Sequence, residues 1–167
     1  GLIIDVRNNG GGNLTNAHKL ASAFTNEKRL VGYTTHKTGK HRNDFSHPEA
    51  VHIEPFKGVR WQKPVVVLTN RSCYSATNDF VMCMQTFPNV TTMGDSTGGG
   101  SGMPFTLEIP SGWSVRYSAV VTYDNQMRHV EFGIQPDIRI STDGEVAAKA
   151  ATLTDVPAGQ AGQFTLH

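Results

Sequence analysis

Val65-Val66-Val67-Leu68-Thr69-Asn70-Arg71-Ser72-Cys73-Tyr74-Ser75-Ala76 is the stretch that decides how this 167-residue chain folds. Val65 to Thr69 run without an interruption and stop at Asn70-Arg71-Ser72, the pattern of a central strand buried on both faces. Beyond the turn, Ala76, Phe80, Val81, Met84 and Phe87 recur at helical spacing until Pro88 ends the stripe. Val90 to Gly94 then reads as another strand. Strand, turn, helix and strand in immediate succession is the unit of an alternating α/β architecture.

Outward from this unit the same order continues. Leu2 to Val6 is a second short apolar run, stopped by Arg7-Asn8-Asn9-Gly10-Gly11-Gly12, so it reads as a buried strand feeding a glycine turn. A helix should follow, capped by Asn13 or Thr15 and carrying Ala17, Leu20, Ala21 and Phe24 through about Thr25. Leu30 to Thr35 reads as a strand and His36 to Pro48 as an exposed polar loop or lid. On the other side, Asp95 to Gly102 is too rich in glycine for a regular element. Phe105 to Ile109 and Trp113 to Tyr123 flank Pro110-Ser111-Gly112 as a late hairpin. Gly133-Ile134-Gln135-Pro136-Asp137 turns the chain into a strand at Ile138 to Ile140, and Asp143 can cap a helix through about Leu153. Val156 to His167 has little to bury and is expected to fray.

Fifteen Lys and Arg against fourteen Asp and Glu leave a formal charge of +1, which gives no footprint for a nucleic-acid partner. No run approaches the roughly 20 apolar residues of a membrane span. Hydrophobic residues at 38% and charged ones at 17% leave room for seventeen glycines and many small polar residues, so a folded, loop-rich chain is expected. Cys73 and Cys83, on one turn and helix, are not placed to bridge each other. The chain opens directly on a strand pattern, with no Met, signal sequence or leading loop, and is therefore expected to be part of something longer.

Both strand ends with unusual loops lead into helices, which gathers backbone N–H groups at one edge of the sheet. Ser75 sits at one such turn. Its hydroxyl could attack a carbonyl while the Ala76 N–H faces the developing oxyanion, or it could simply cap the helix. Gly10-Gly11-Gly12 could supply the other oxyanion donor, since consecutive glycines let backbone N–H groups approach a ligand, or could serve only as a tight turn. His129 lies two residues from Glu131, on the same face if the segment is a strand. The other histidines show no metal-binding spacing, so no metal is expected. Gly94 to Ser101 lacks the lysine of a phosphate-binding loop, because Gly100 stands in its place, and the following segment reads as strand, so no nucleotide cofactor is expected.

Four segments, in order, resemble the C-terminal processing (tail-specific) proteases and their tricorn-type relatives. Gly1 to Gly12 is similar to the family's strand with D-hydrophobic-R-x-N-x-G-G, and Thr69 to Phe80 to its nucleophile segment, with Ser75 on the catalytic serine. Gly94 to Gly102 resembles its G-x-x-T-x-G loop, and Gly133 to Asp137 its G-[IV]-x-P-D ending. The resemblance implies a ClpP/crotonase-like β-α spiral core with the hairpin inserted, over residues 1–155, followed by a flexible tail at 156–167. It implies a serine endopeptidase with Ser75 as nucleophile, Gly11 and Ala76 as the oxyanion hole, and Gly10, Gly12, Gly99 and Gly100 lining the substrate cleft. The substrate would be a peptide or an unfolded protein, often entering by its C-terminus and lying as an added strand. No cofactor is implied.

Gly100 stands where the Ser/Lys branch of the family places its base, so the resemblance is closer to the tricorn-type Ser/His/Ser/Glu branch, with Glu131 as the orienting carboxylate. The histidine and second serine of that branch would precede Gly1, so an upstream catalytic segment, like any PDZ module, is expected to lie outside this chain. His129 is the candidate base if the base is internal. An exported, periplasmic or cell-envelope setting is implied by resemblance alone. The other expectations are a non-catalytic homologue that binds peptide or a small apolar ligand in the same cleft, and a crotonase-like acyl-thioester enzyme, against which a serine at position 75 argues.

Overall fold

The two uninterrupted apolar runs lie side by side. The computed structural model describes residues 1–140 together with Lys149, Thr152, Leu153, Gly162 and Gln163. In it β1 (Leu2–Asp5) runs parallel to β4 (Val65–Thr69), and β4 runs parallel to β5 (Val90–Gly94). With β9 (Ile138–Arg139) and β10 (Gly162–Gln163) on the edges they form a parallel sheet in the order β10-β1-β4-β5-β9. Both faces are covered, which is why β4 needs no polar alternation. Ile4, Val65 and Val67 face a core built with α1 (Leu14–Ala21) and α2 (Ala76–Met84), whereas Ile3, Val66, Leu68 and Met93 face a second cluster with Ile140. The Asp143 cap lies outside the described residues, although Lys149, Thr152 and Leu153 are helical. Of the stretch read as a tail, Gly162 and Gln163 pair with Ile4 and Asp5.

A second sheet is antiparallel, in the order β3-β2-β8, from β2 (Arg29–His36), β3 (Glu49–Ile53) and β8 (Val120–Asp124). The polar edge strand β3 is absent from the sequence reading, because Glu49-Ala50-Val51-His52-Ile53 buries only its last residue and leaves most of its length in solvent. Trp113 to Tyr123, read as one strand, is two. β7 (Trp113–Ser118) pairs with β6 (Pro104–Ile109) and the chain breaks at Ala119 before β8 joins β2. A β-pattern continues across that break, so only the change of partner reveals it.

The β6–β7 ribbon is exposed along its whole length. Phe105 lies opposite Tyr117, Leu107 opposite Val115 and Ile109 opposite Trp113, so every large apolar side chain of the ribbon shares one face. Pro104, Arg116 and Ser118 are on the other.

The helix read through Thr25 ends at Ala21 and tightens into a 3-10 turn at Ser22–Phe24, where the Ser22 hydroxyl donates to the Lys19 carbonyl at 2.6 Å. Asn13 is its cap, its side chain accepting the Thr15 N–H at 2.8 Å. In α2 the apolar stripe explains one side only, since Thr77, Asn78 and Asp79 on the rest of the helix are buried as well.

Asp137 fastens the edge of the parallel sheet. Its carboxylate accepts both the N–H and the hydroxyl of Thr92 at 2.8 Å, while the Asp137 N–H donates to the Thr92 hydroxyl at 2.9 Å. Asp137→Ala leaves the Thr92 N–H without its acceptor and is expected to cost about 2 kcal/mol, read as a lower midpoint in urea; a change within experimental error would show that this clasp adds nothing.

Candidate active site

Three loops meet over the N-terminus of α2, and their backbones do most of the joining. The Asp5 carboxylate holds the Arg7 guanidinium in two hydrogen bonds, at 2.9 and 2.6 Å, which fixes the exit of β1. Asn9 then links the glycine turn to the Ser75 turn. Its side-chain oxygen accepts the Gly11 N–H at 3.0 Å and the Thr77 hydroxyl at 2.8 Å, and its carbonyl accepts the Tyr74 N–H at 3.1 Å. From the third loop, the Gly99 carbonyl accepts the Ser75 N–H at 2.8 Å, and Gly98 and Gly100 donate to the carbonyls of Cys73 (2.7 Å) and Glu131 (3.2 Å). Arg71 adds a bond to the Thr97 carbonyl at 2.7 Å.

Ser75 occupies the cap position of α2 with φ +56° and ψ −126°, yet its side chain makes no capping hydrogen bond. The left-handed region is strained for a residue with a side chain. A hydroxyl on a sharp strand-to-helix turn, held out of the cap, is the geometry that presents a nucleophile. Among the described residues it has no hydrogen-bond partner. The Ala76 N–H is likewise unbonded among those residues and opens α2, whose first-turn amides favour negative charge.

Gly11 meets this turn at closest range. With φ +97°, a Cβ there would lie 2.5 Å from the Tyr74 carbonyl and 2.8 Å from the Ser75 Cβ, so a side chain is excluded. Its N–H, the expected second oxyanion donor, is turned to Asn9, whereas the Gly12 N–H carries no hydrogen bond among the described residues. Gly99 and Gly100 also have positive φ, and a Cβ on Gly100 would enter the Tyr74 ring.

Ser75 stands between two adjoining cavities. One, of about 600 Å³, is lined by Gly10 to Gly12, Tyr74, Gly100 and Glu131. The other, of about 970 Å³, is lined by His18, Asp79, Ser101 and the base of the ribbon, and Gly12, Gly100, Pro104 and Arg116 border both. The structure thus brings Glu131, Gly10, Gly12, Gly99 and Gly100 to Ser75 and Ala76.

It does not bring His129. That ring packs against Tyr123 and, edge-on, Phe132, and it lines a separate cavity with Gln85 and Gln135. The shared-face argument fails because His129 makes a lone bridge to Tyr123 and Glu131 already lies in a turn. His18 and His36, read as helix and loop residues, do line the Ser75 cleft, and burial lowers the His18 pKa by disfavouring the charged ring. Cys73 is no rival to Ser75. Its thiol donates to the Val6 carbonyl at 3.0 Å, and burial pushes its pKa up to about 11. Both cysteines are free and buried. Among the described residues, no cluster of three or more His, Cys, Asp or Glu is placed to hold a metal.

Sequence reasoning passed over Asp79, a charged residue beside the apolar stripe of α2. Only 7% of it is exposed, and burial raises its pKa to about 7, with Glu131 adding repulsion and Ser101 a hydrogen bond that opposes the shift.

A model of peptidase family S41 matches residues 1–140. A protein of Staphylococcus epidermidis named "Probable CtpA-like serine protease" is 29% identical over 143 residues, 84% of this chain and 28% of its own length. A "Carboxyl-terminal-processing protease" of Synechocystis is 27% identical over 82% of the chain and 30% of its own. The crystal structure of a candidate peptidase from Parabacteroides merdae superposes with a TM-score of 0.82 at 50% identity, covering 92% of this chain and 49% of that one. The chain therefore spans about half of that structure and under a third of the two curated relatives.

Two outcomes test this geometry. Asn9→Ala is expected to destabilise the chain by about 2 kcal/mol, while Asn9→Asp, which keeps the acceptor, costs less than half of that; equal losses in thermal unfolding would deny the side-chain oxygen its linking role. Asp79 sets the second. The unfolded carboxyl titrates near 3.8 and the folded one near 7, so between these values the native state holds a proton that the unfolded chain has released, and stability falls as pH rises. Asp79→Asn is expected to gain about 3 kcal/mol on the wild type between pH 5 and pH 8, measured by urea unfolding at both; a constant difference would contradict the raised pKa.

Proposed function

The chain belongs to peptidase family S41, and on that premise we propose that it carries the nucleophile and oxyanion-binding turn of a serine endopeptidase acting on peptides or unfolded proteins. The observation that carries the proposal is Ser75 itself, strained at φ +56°, excluded from capping, and set between two cavities. The Ser75 Oγ attacks the scissile carbonyl and its proton passes to a base. The oxyanion forms over the N-terminus of α2, where the Ala76 N–H, unbonded among the described residues, meets it. Gly12 can donate as built, and Gly11 after its N–H leaves Asn9.

We assign the tricorn-type arrangement rather than a Ser/Lys pair. A side chain at position 100 would collide with the Tyr74 ring, which speaks against a lysine working from there. Glu131 borders the cavity on the glycine-turn side of Ser75 and would orient a histidine contributed from outside these 167 residues. The fold is read as the β-α spiral of ClpP and crotonases with the β6–β7 ribbon inserted, and the setting as exported. No helix among the described residues is long and apolar enough to cross a membrane. The Ser75 hydroxyl, without a hydrogen-bond partner among the described residues, also fits a second reading, a homologue that binds peptide without cleaving it.

A fluorophosphonate probe separates the two. The full-length protein is expected to be labelled at Ser75, with labelling abolished by Ser75→Ala and at least about tenfold slower in the 167-residue chain alone. A folded full-length protein that takes no label would establish the non-catalytic reading.

A further inference from the structure

The larger cavity beside Ser75 has an acidic residue that the mechanism above leaves unused. We propose that this cavity is a subsite for a long side chain ending in a cation, lysine or arginine, and that the Asp79 carboxylate receives the charged end. The proposal rests on the nucleophile reading only in placing that side chain next to the bond to be cut.

Asp79 lines the cavity although it is more than nine-tenths buried, so it belongs to the interior wall. A chain of hydrogen bonds fixes its surroundings. The Ile134 N–H donates to the Thr97 hydroxyl at 2.7 Å, Thr97 to the Asn78 side-chain oxygen at 2.5 Å, and the Asn78 amide to the Ser101 oxygen at 2.8 Å. Ser101 keeps its own proton and is the side chain near enough to Asp79 to offset part of the pKa rise that burial causes. Ser101 and the Asp79 main-chain amide together do not fill the several acceptor positions of a carboxylate, so capacity remains for a ligand. Leu14, Met103, Phe105 and Val120 supply apolar wall, which suits an aliphatic stem.

The other charges around Asp79 leave it as the acceptor. Burial lowers the His18 pKa on α1, which disfavours its charged form. His36, at the end of β2, lies 3.9 Å from the Glu49 carboxylate. Lys37 donates to the carbonyls of His41 and Arg42 and sits over the Phe45 ring, engaged with its own loop. Arg116 is on the exposed ribbon at the mouth, where solvent screens it. Within α2 the Cys83 thiol stays protonated, its pKa raised by burial and by Asp79. Glu131 is of the same sign as Asp79 and adds to the attraction for a cation.

A lysine ammonium arriving at a protonated Asp79 displaces that proton to solvent, so binding strengthens as pH rises through about 7. The test uses the full 167-residue chain carrying Ser75→Ala, so that nothing is cleaved, titrated calorimetrically with an unstructured heptapeptide bearing a central lysine and with its norleucine counterpart. The lysine peptide is expected to bind at least about tenfold tighter at pH 8 and no more than about threefold tighter at pH 5.5. Adding Asp79→Asn is expected to remove the preference at pH 8. Equal affinity at pH 8, a preference that survives Asp79→Asn, or one that ignores pH would overturn the proposal. The pH comparison decides if that variant does not fold. A lysine preference in a protein that resists fluorophosphonate would support the subsite and refute the nucleophile, so the two readings fail separately.

Discussion

Asn9 is the residue on which the rest of the arrangement depends. One side-chain oxygen receives an amide from the glycine turn and a hydroxyl from α2, while the carbonyl of the same residue receives the Tyr74 amide. The turn after β1 and the turn after β4 are far apart in sequence, and parallel pairing only brings their ends to the same edge of the sheet. Asn9 converts that nearness into a fixed distance. Buried at 8% exposure, it works where water competes least for its hydrogen bonds.

The remaining fixity comes from backbone. Carbonyls of Gly99, Cys73 and Glu131 are bonded across the loops, and each crossing needs main chains to approach more closely than a side chain permits. The glycines are therefore structural conditions of the site as well as its lining. The strain at Ser75 is held by the same crossings, because the Ser75 amide is tied to Gly99 and its carbonyl accepts the Asp79 amide at 3.1 Å. Beneath them, the hydrogen-bonded run from Ile134 through Thr97, Asn78 and Ser101 fills the polar side of a helix that has no solvent-facing side.

Most of the parallel sheet was legible in the sequence, since a strand buried on both faces favours an apolar run: β4 is apolar up to Thr69 and β1 up to Asp5, while β5, with Thr91 and Thr92 at its centre, was legible from its place after the α2 stripe and Pro88. Glycine runs and the Ser75 turn were equally visible, because few residue types tolerate those backbone angles. What escaped depended on tertiary partners. β3 is polar because solvent covers most of it, and the break at Ala119 is a change of neighbour with no change of pattern. His129 and Glu131 were paired by strand periodicity that a turn cancels. Asp79 was passed over beside an apolar stripe because its neighbour Ser101 lies beyond β5, on a loop that no local spacing connects to α2. The two choices open at Ser75 and Gly11 resolved differently: the serine does not cap its helix, and the glycine amide is occupied by Asn9.

The packing of Tyr74 against Gly100 has a consequence for how such a site could change over generations. The ring occupies the volume into which any side chain at position 100 must grow, and the backbone there is left-handed. A single replacement at 100 meets a wall, and a single loss of the ring removes the packing that Gly100 makes beside Ser75. Descendants that relocate a functional group to this loop must alter both residues together, so the two positions form one inherited character and are expected to covary.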